Sequence, residues 1–154
     1  MAIVTKCGFD AVPGGASGEQ LLAHFGPTLI VDIGFDQNYD PKILTVPNLG
    51  LRGQQALVDT GASECCIDAL VATQLGLPPV DQRPISGVHG QRLVTFYLAQ
   101  IYIPTLAFTM YGAFAGVDLL AGGQVHAALI GRSFLRVFTM IYEGTTGTVT
   151  LSKT

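Results

Sequence analysis

Ala56-Leu57-Val58-Asp59-Thr60-Gly61-Ala62-Ser63 is the stretch on which the reading of this chain turns. Three apolar residues run as a strand into an aspartate, a hydroxyl and a glycine, delivering a carboxylate to the start of a tight turn. A carboxylate at the end of an apolar strand is costly to bury unless it is hydrogen-bonded or put to use. Thr60 can donate to nearby oxygens, and Gly61 permits close backbone approach and unusual dihedrals. By itself the segment has two readings: a strand-end turn in which Asp59 caps backbone amides, or a positioned reactive carboxylate.

Outward from this segment the chain is mainly β. Thr28 to Phe35, Ile43 to Val46 and Gln55 to Asp59 read as strands ahead of the turn. Behind it, Asp68 is placed as the N-cap of a helix over Ala69 to Leu75, with Gly76 at C′ and Pro78 blocking continuation. Gln91 to Ile103 is a long strand, apolar on both faces, a pattern that suits burial on both sides or a barrel wall. Thr105 to Ala113 and Ala127 to Gly131 are further strands. Arg132 to Leu135 forms a helical turn, and Arg136 to Tyr142 with Thr148 to Leu151 form a hairpin. The expected fold is mainly β and closed-barrel-like, with one substantial helix.

Two further segments bear on Asp59. Ile85-Ser86-Gly87-Val88-His89-Gly90-Gln91 is a glycine-bracketed hairpin tip, and Ala128-Leu129-Ile130-Gly131-Arg132 is an apolar run ending in Gly-Arg. At these three segments the chain closely resembles the retropepsin family, the dimeric viral-type aspartic proteases with their cellular and bacterial relatives. The order matches, with Gly87 28 residues after Asp59 and Gly131 72 residues after it. The resemblance covers about residues 28–154 and implies a retropepsin-like acid-protease domain there. Residues 1–27 then stand as an N-terminal extension, either disordered or regulating access to the cleft.

The resemblance assigns roles. Asp59 would be the catalytic carboxylate, supported by Thr60, Gly61 and Ala62; Thr60 would hydrogen-bond across a dimer. Gly87, Val88, His89 and Gly90 would form a flap over bound peptide. Ile85, Val88 and Ile130 would line the substrate cleft, and Gly131 and Arg132 would pack beneath the active site. Only one Asp-Thr-Gly is present, and a lone carboxylate cannot serve as acid and base at once. A homodimer would place Asp59 and its mate on the two-fold axis, where two carboxyls about 3 Å apart share one proton and activate a water. That chemistry implies endopeptidase action on extended polypeptide, on the acid side of neutrality, with no metal or other cofactor. One position departs from the family: an acid is usual four residues after the catalytic aspartate, and here it is Ser63, which leaves Arg132 to pair with Glu64 or with a partner chain.

Composition sets bounds. With 154 residues, 49% hydrophobic and only 12% charged, the chain fits one domain and is short of charge for its own surface, which favours an oligomer. The net charge is −3 and the basic residues are scattered, so no nucleic-acid partner is expected. No apolar run is long enough to span a membrane, and Met1 to Gly8 lacks an apolar leader core. Cys7, Cys65 and Cys66, an odd set with two adjacent, read as reduced thiols rather than a disulfide framework. Together these point to the cytoplasm. A thiol nucleophile is disfavoured because no histidine lies near Cys65 and Cys66 in sequence, and His24, His89 and His126 lack metal-ligand spacing. The other reading kept open is a non-catalytic dimerisation or peptide-binding module that retains Asp59 for structure.

Overall fold

The computed structural model describes residues 2–43 and 46–154. In chain order it forms β1 (Ile3–Lys6), α1 (Gly18–Phe25), β2 (Thr28–Gly34), β3 (Leu51–Val58), β4 (Cys66–Asp68) and α2 (Ala69–Gln74). These are followed by β5 (Pro79–Gly87), β6 (Gly90–Ile103), β7 (Phe108–Val117), β8 (Ala128–Ile130), α3 (Arg132–Leu135), β9 (Thr139–Glu143) and β10 (Thr148–Lys153). The protein is mainly β. A seven-stranded mixed sheet runs β2-β3-β8-β4-β7-β6-β5, and β2 pairs a second time with β6, so the ladder returns to the strand on which it began. Most neighbours are antiparallel; β3–β8 and β4–β7 are parallel.

Leu29, Val31 and Ile33 of β2, Ile101 and Ile103 of β6, and Ile130 of β8 meet in one buried core with Ile67 and Val71. Alternate residues of β2 point inward, as the period of two demands. The long β6 behaves differently along its length. Ala99, Ile101 and Ile103 are fully buried, whereas Leu93 is largely exposed. The expectation of burial on both faces therefore holds only for the C-terminal half, because the N-terminal half leaves the body as one arm of the β5–β6 hairpin.

Besides the helix after Asp68, the sequence allows a short helix from Ser17 or Gly18 to His24, closed by Gly26-Pro27. α1 agrees with this reading, as α3 does with the helical turn expected at Arg132 to Leu135. The longest helix is α1, closed at its start by a capping box: Ser17 Oγ accepts from Gln20 N–H at 3.1 Å, and Gln20 Oε1 accepts from Ser17 N–H at 2.9 Å. Both reciprocal bonds satisfy first-turn donors that the helix cannot satisfy itself. The predicted α2 agrees with the structure, with Asp68 as N-cap and Gly76 at φ +62 beyond its end.

Residues 2–27, expected as an appendage or a disordered tail, have an ordered place. β1 pairs with β10, which pairs with β9 in a second, three-stranded sheet. Leu22 of α1 and Cys7 are buried in the common core. The start of α1 crosses the β9–β10 turn so closely that a Cβ at Gly18 or Gly147 would overlap the facing backbone. Of the expected strand Ile43 to Val46, Leu44 and Thr45 lie outside the described residues. Ile43 instead closes a 3-10 turn, and Val46 lies in a loop. Among the described residues no helix is long and apolar enough to cross a membrane.

Candidate active site

Asp59 stands one residue past β3, where the strand has run parallel to β8 with Val58 opposite Ile130. Its N–H donates to the Ile130 carbonyl at 2.9 Å, so the ladder extends one step beyond the strand and fixes the residue's height above the core. The chain then turns at once: Gly61 N–H donates to Asp59 Oδ1 at 2.8 Å, and Ala62 N–H to the Asp59 carbonyl at 3.2 Å. Asp59 is half-buried, and among the described residues its Oδ2 has no partner within the chain. One oxygen is thus anchored while the other is free to act. A side chain at Gly61 would crowd the anchored oxygen, since a Cβ there would lie 3.0 Å from Oδ1.

The β8–α3 junction locks the turn from beneath. Arg132 N–H donates to the Ala62 carbonyl and Ser133 N–H to the Ser63 carbonyl, each at 2.9 Å. The Arg132 guanidinium donates to the Thr60 carbonyl at 2.8 Å. Neither partner left open for Arg132 by the sequence, Glu64 or another chain, is needed to seat it. Gly131 is required by space: a Cβ would collide with the backbone of Glu64 and the Ala62 carbonyl. Its N–H points at Cys65 Sγ, 3.4 Å away.

Ile130 is fully buried. The expectation that its side chain lines the cleft is corrected: on a three-residue strand flanked by β3 and β4 it faces the core, and it is its carbonyl that serves the site. Thr60 is exposed beside Asp59, and among the described residues its hydroxyl makes no hydrogen bond within the chain.

The glycine-bracketed segment forms a tight hairpin. Gly87 pairs with Gly90, leaving Val88 and His89 as a two-residue turn, and Gly90 takes φ +97, a conformation open to glycine. Val88 is 98% exposed and touches nothing that would hold it. On one side of the hairpin lies a cleft of about 1070 Å³. It is lined by residues 61–66 of the turn, Arg83 to Ser86 of β5, Phe96 of β6 and residues of β7. Asp59 itself does not line it; Ile85 borders both this cleft and a smaller cavity of about 490 Å³, which Val88 also borders. Arg92 of β6 pairs with Asp118 across that second cavity at 2.8 Å.

The cysteines are free. Cys65 and Cys66 line the cleft, but burial raises the Cys65 thiol above its ordinary pKa and pushes Cys66 up to about 11. Both are therefore protonated near neutrality and poor nucleophiles. The sequence reading missed Glu64, Arg83 and Phe96 as cleft residues. Glu64 had a signal, since it immediately follows the Asp59 turn; Arg83 and Phe96 had none, because only the β5–β6 register brings the Arg83 guanidinium 3.8 Å above the Phe96 ring. No known protein-family model matches the chain, and no curated protein matches it.

Proposed function

We propose that the chain is a retropepsin-type aspartic endopeptidase that acts as a homodimer. The observation that carries this reading is the Asp59 turn: a carboxylate with one oxygen anchored by Gly61 N–H, held at the end of β3 by β8, and locked through Gly131 and Arg132. The β2–β6 pairing that returns the sheet to its first strand supports a closed-barrel, acid-protease fold around it. The hairpin ending at Val88 supports a flap, with substrate lying as an extended strand in the cleft.

In the proposed dimer the Asp59-Thr60-Gly61 turns of two copies face each other on a two-fold axis. The paired Asp59 carboxyls share one proton. The ionised member takes a proton from a water as its oxygen attacks the scissile carbonyl, and the protonated member hydrogen-bonds that carbonyl. The proton then passes to the leaving amine. Thr60, with its hydroxyl unused inside the chain, bonds across the axis.

One observation favours a second reading, a peptide-binding module without catalysis: the large cleft is lined by Gly61 and Ala62 but not by Asp59. A single experiment separates the two. The protein and its Asp59→Asn variant are incubated with an undirected peptide mixture from about pH 4 to 7, and products are read by mass spectrometry. Cleavage that peaks at acid pH, vanishes in the variant and falls steeply on dilution is the expected result. Peptide retention without cleavage by a dimeric protein points to the module.

A further inference from the structure

We infer that the cleft beside the Asp59 turn selects peptides bearing an acidic side chain, held by Arg136 and Lys153. This deepens the endopeptidase reading and rests on it for the scissile bond, though not for binding. Acidic residues outnumber basic ones in the chain, 11 to 8. The cleft reverses that balance, with Arg83, Arg136 and Lys153 lining it against Glu64 alone.

Arg83 is already engaged, paired with Asp81 at 3.0 Å and stacked on Phe96. Arg136 and Lys153 are exposed and, among the described residues, in no ion pair. They are far apart in sequence but line the same cleft. Arg136 N–H closes α3 on the Arg132 carbonyl at 2.9 Å, and Lys153 is held by its pairing with Ile3 of β1. Phe108 and Val137 line the same cleft, so it offers two cations together with apolar surface. A carboxylate on a short apolar stem fits that combination.

Glu64 lies in the segment that follows the Asp59 turn, whereas the two cations come from the end of α3 and from β10. An acidic side chain is repelled by Glu64 and attracted by the two cations, which favours one register of a bound strand. Because Asp59 does not line this cleft, the two cations hold substrate and transition state alike, and their loss raises KM while leaving kcat in place.

The test uses Asp59→Asn protein and three pools of acetylated, amidated peptides, matched in apolar content and carrying Glu, Gln or Lys as the variable residue. Blocked termini ensure that any carboxylate retained is a side chain. Retention of the Glu pool about tenfold above the Gln pool is expected at low salt, with the preference collapsing at about 0.5 M salt. Adding Arg136→Glu and Lys153→Glu together reverses the order in favour of the Lys pool. Equal retention of the Glu and Gln pools at low salt overturns the inference, as does an unchanged Glu preference in the double variant. Should the double variant fail to fold, Arg136→Gln and Lys153→Gln taken singly are each expected to cut the preference about threefold, and no change in either overturns it. Glu-pool retention by Asp59→Asn without cleavage by the parent keeps this inference and removes the endopeptidase reading. Cleavage of all pools alike does the reverse.

Discussion

Gly131 and His126 flank the short strand that supports Asp59, and each constrains it differently. At Gly131 the constraint is space. Gly131→Ala would press a methyl into the Ala62 and Glu64 backbone and push the Asp59 turn off its seat. We expect a loss of about 1–3 kcal/mol in stability from overpacking, read by chemical denaturation, and a loss of the proposed peptide cleavage at temperatures where the variant is still folded. At His126 the constraint is charge. Thr28 Oγ1 donates to the Gly26 carbonyl at 2.9 Å, so toward His126 Nε2, 3.2 Å away, it acts as acceptor. Nε2 therefore carries the ring proton, and Nδ1 is buried with no partner among the described residues. Burial lowers the His126 pKa below its ordinary value of 6.5. The unfolded chain takes up a proton that the folded chain refuses, so this contribution to stability is whole above about pH 6.5. It is lost as pH falls from there toward the folded-state pKa, and is flat below that. Denaturation midpoints should fall between about pH 7 and 5, and less steeply in His126→Gln; parallel slopes for the two proteins would refute the assignment.

Among the elements, α2 shows how a cap can do more than start a helix. Asp68 is completely buried, and its carboxylate accepts Val71 N–H at 3.1 Å and the N–H groups of Leu119 and Leu120, each at 2.9 Å. The first bond caps α2; the other two tie the loop after β7 to it. Asp68→Ala leaves three donors unsatisfied in the interior, and we expect it to cost about 3–5 kcal/mol. Asp68→Asn, which keeps one acceptor oxygen, should cost clearly less in the same denaturant titration. The cap was legible from Asp68 standing before an apolar run that ends at Gly76, because capping is local. Its second role was not, since Leu119 and Leu120 meet it only through the β4–β7 pairing. The hairpin divides in the same way. Gly87 and Gly90 announced its turn, whereas β5, with Pro79, Pro84 and charged Asp81 and Arg83, lacks the alternation that marks a strand and is held as one by its register with β6.

For the molecule as a whole, the consequential finding is that the first 27 residues, over their described length, are tied to the fold by β1 and α1 and contribute Cys7 and Leu22 to the core. β1 completes the three-stranded sheet on β10, and α1 inserts Leu22 among residues of the main core. Leu22→Ala should therefore behave as a core truncation and cost about 2–5 kcal/mol; a loss below about 0.5 kcal/mol, the range of surface substitutions, would show that the segment is dispensable. The placement of β1 also puts Lys153 at the cleft, so any change that frees the N-terminal strand should weaken the proposed acidic-peptide preference as well as stability.

The sequence by itself determined what depends on near neighbours along the chain: a mainly β molecule, the capped helix after Asp68, the tight turn at Val88 and His89, and the turn that follows Asp59. Strand alternation, capping and glycine-dependent turns are local physics and can be read in order. The tertiary structure alone decided the rest. It turned Ile130 inward and used its carbonyl for Asp59, seated Arg132 on the Thr60 carbonyl, folded residues 2–27 against the C-terminal strands, and left Asp59 outside the lining of the cleft of about 1070 Å³. Each of these rests on which strands become neighbours across long stretches of chain, and that choice is made by the burial of the whole apolar set at once rather than by any one segment.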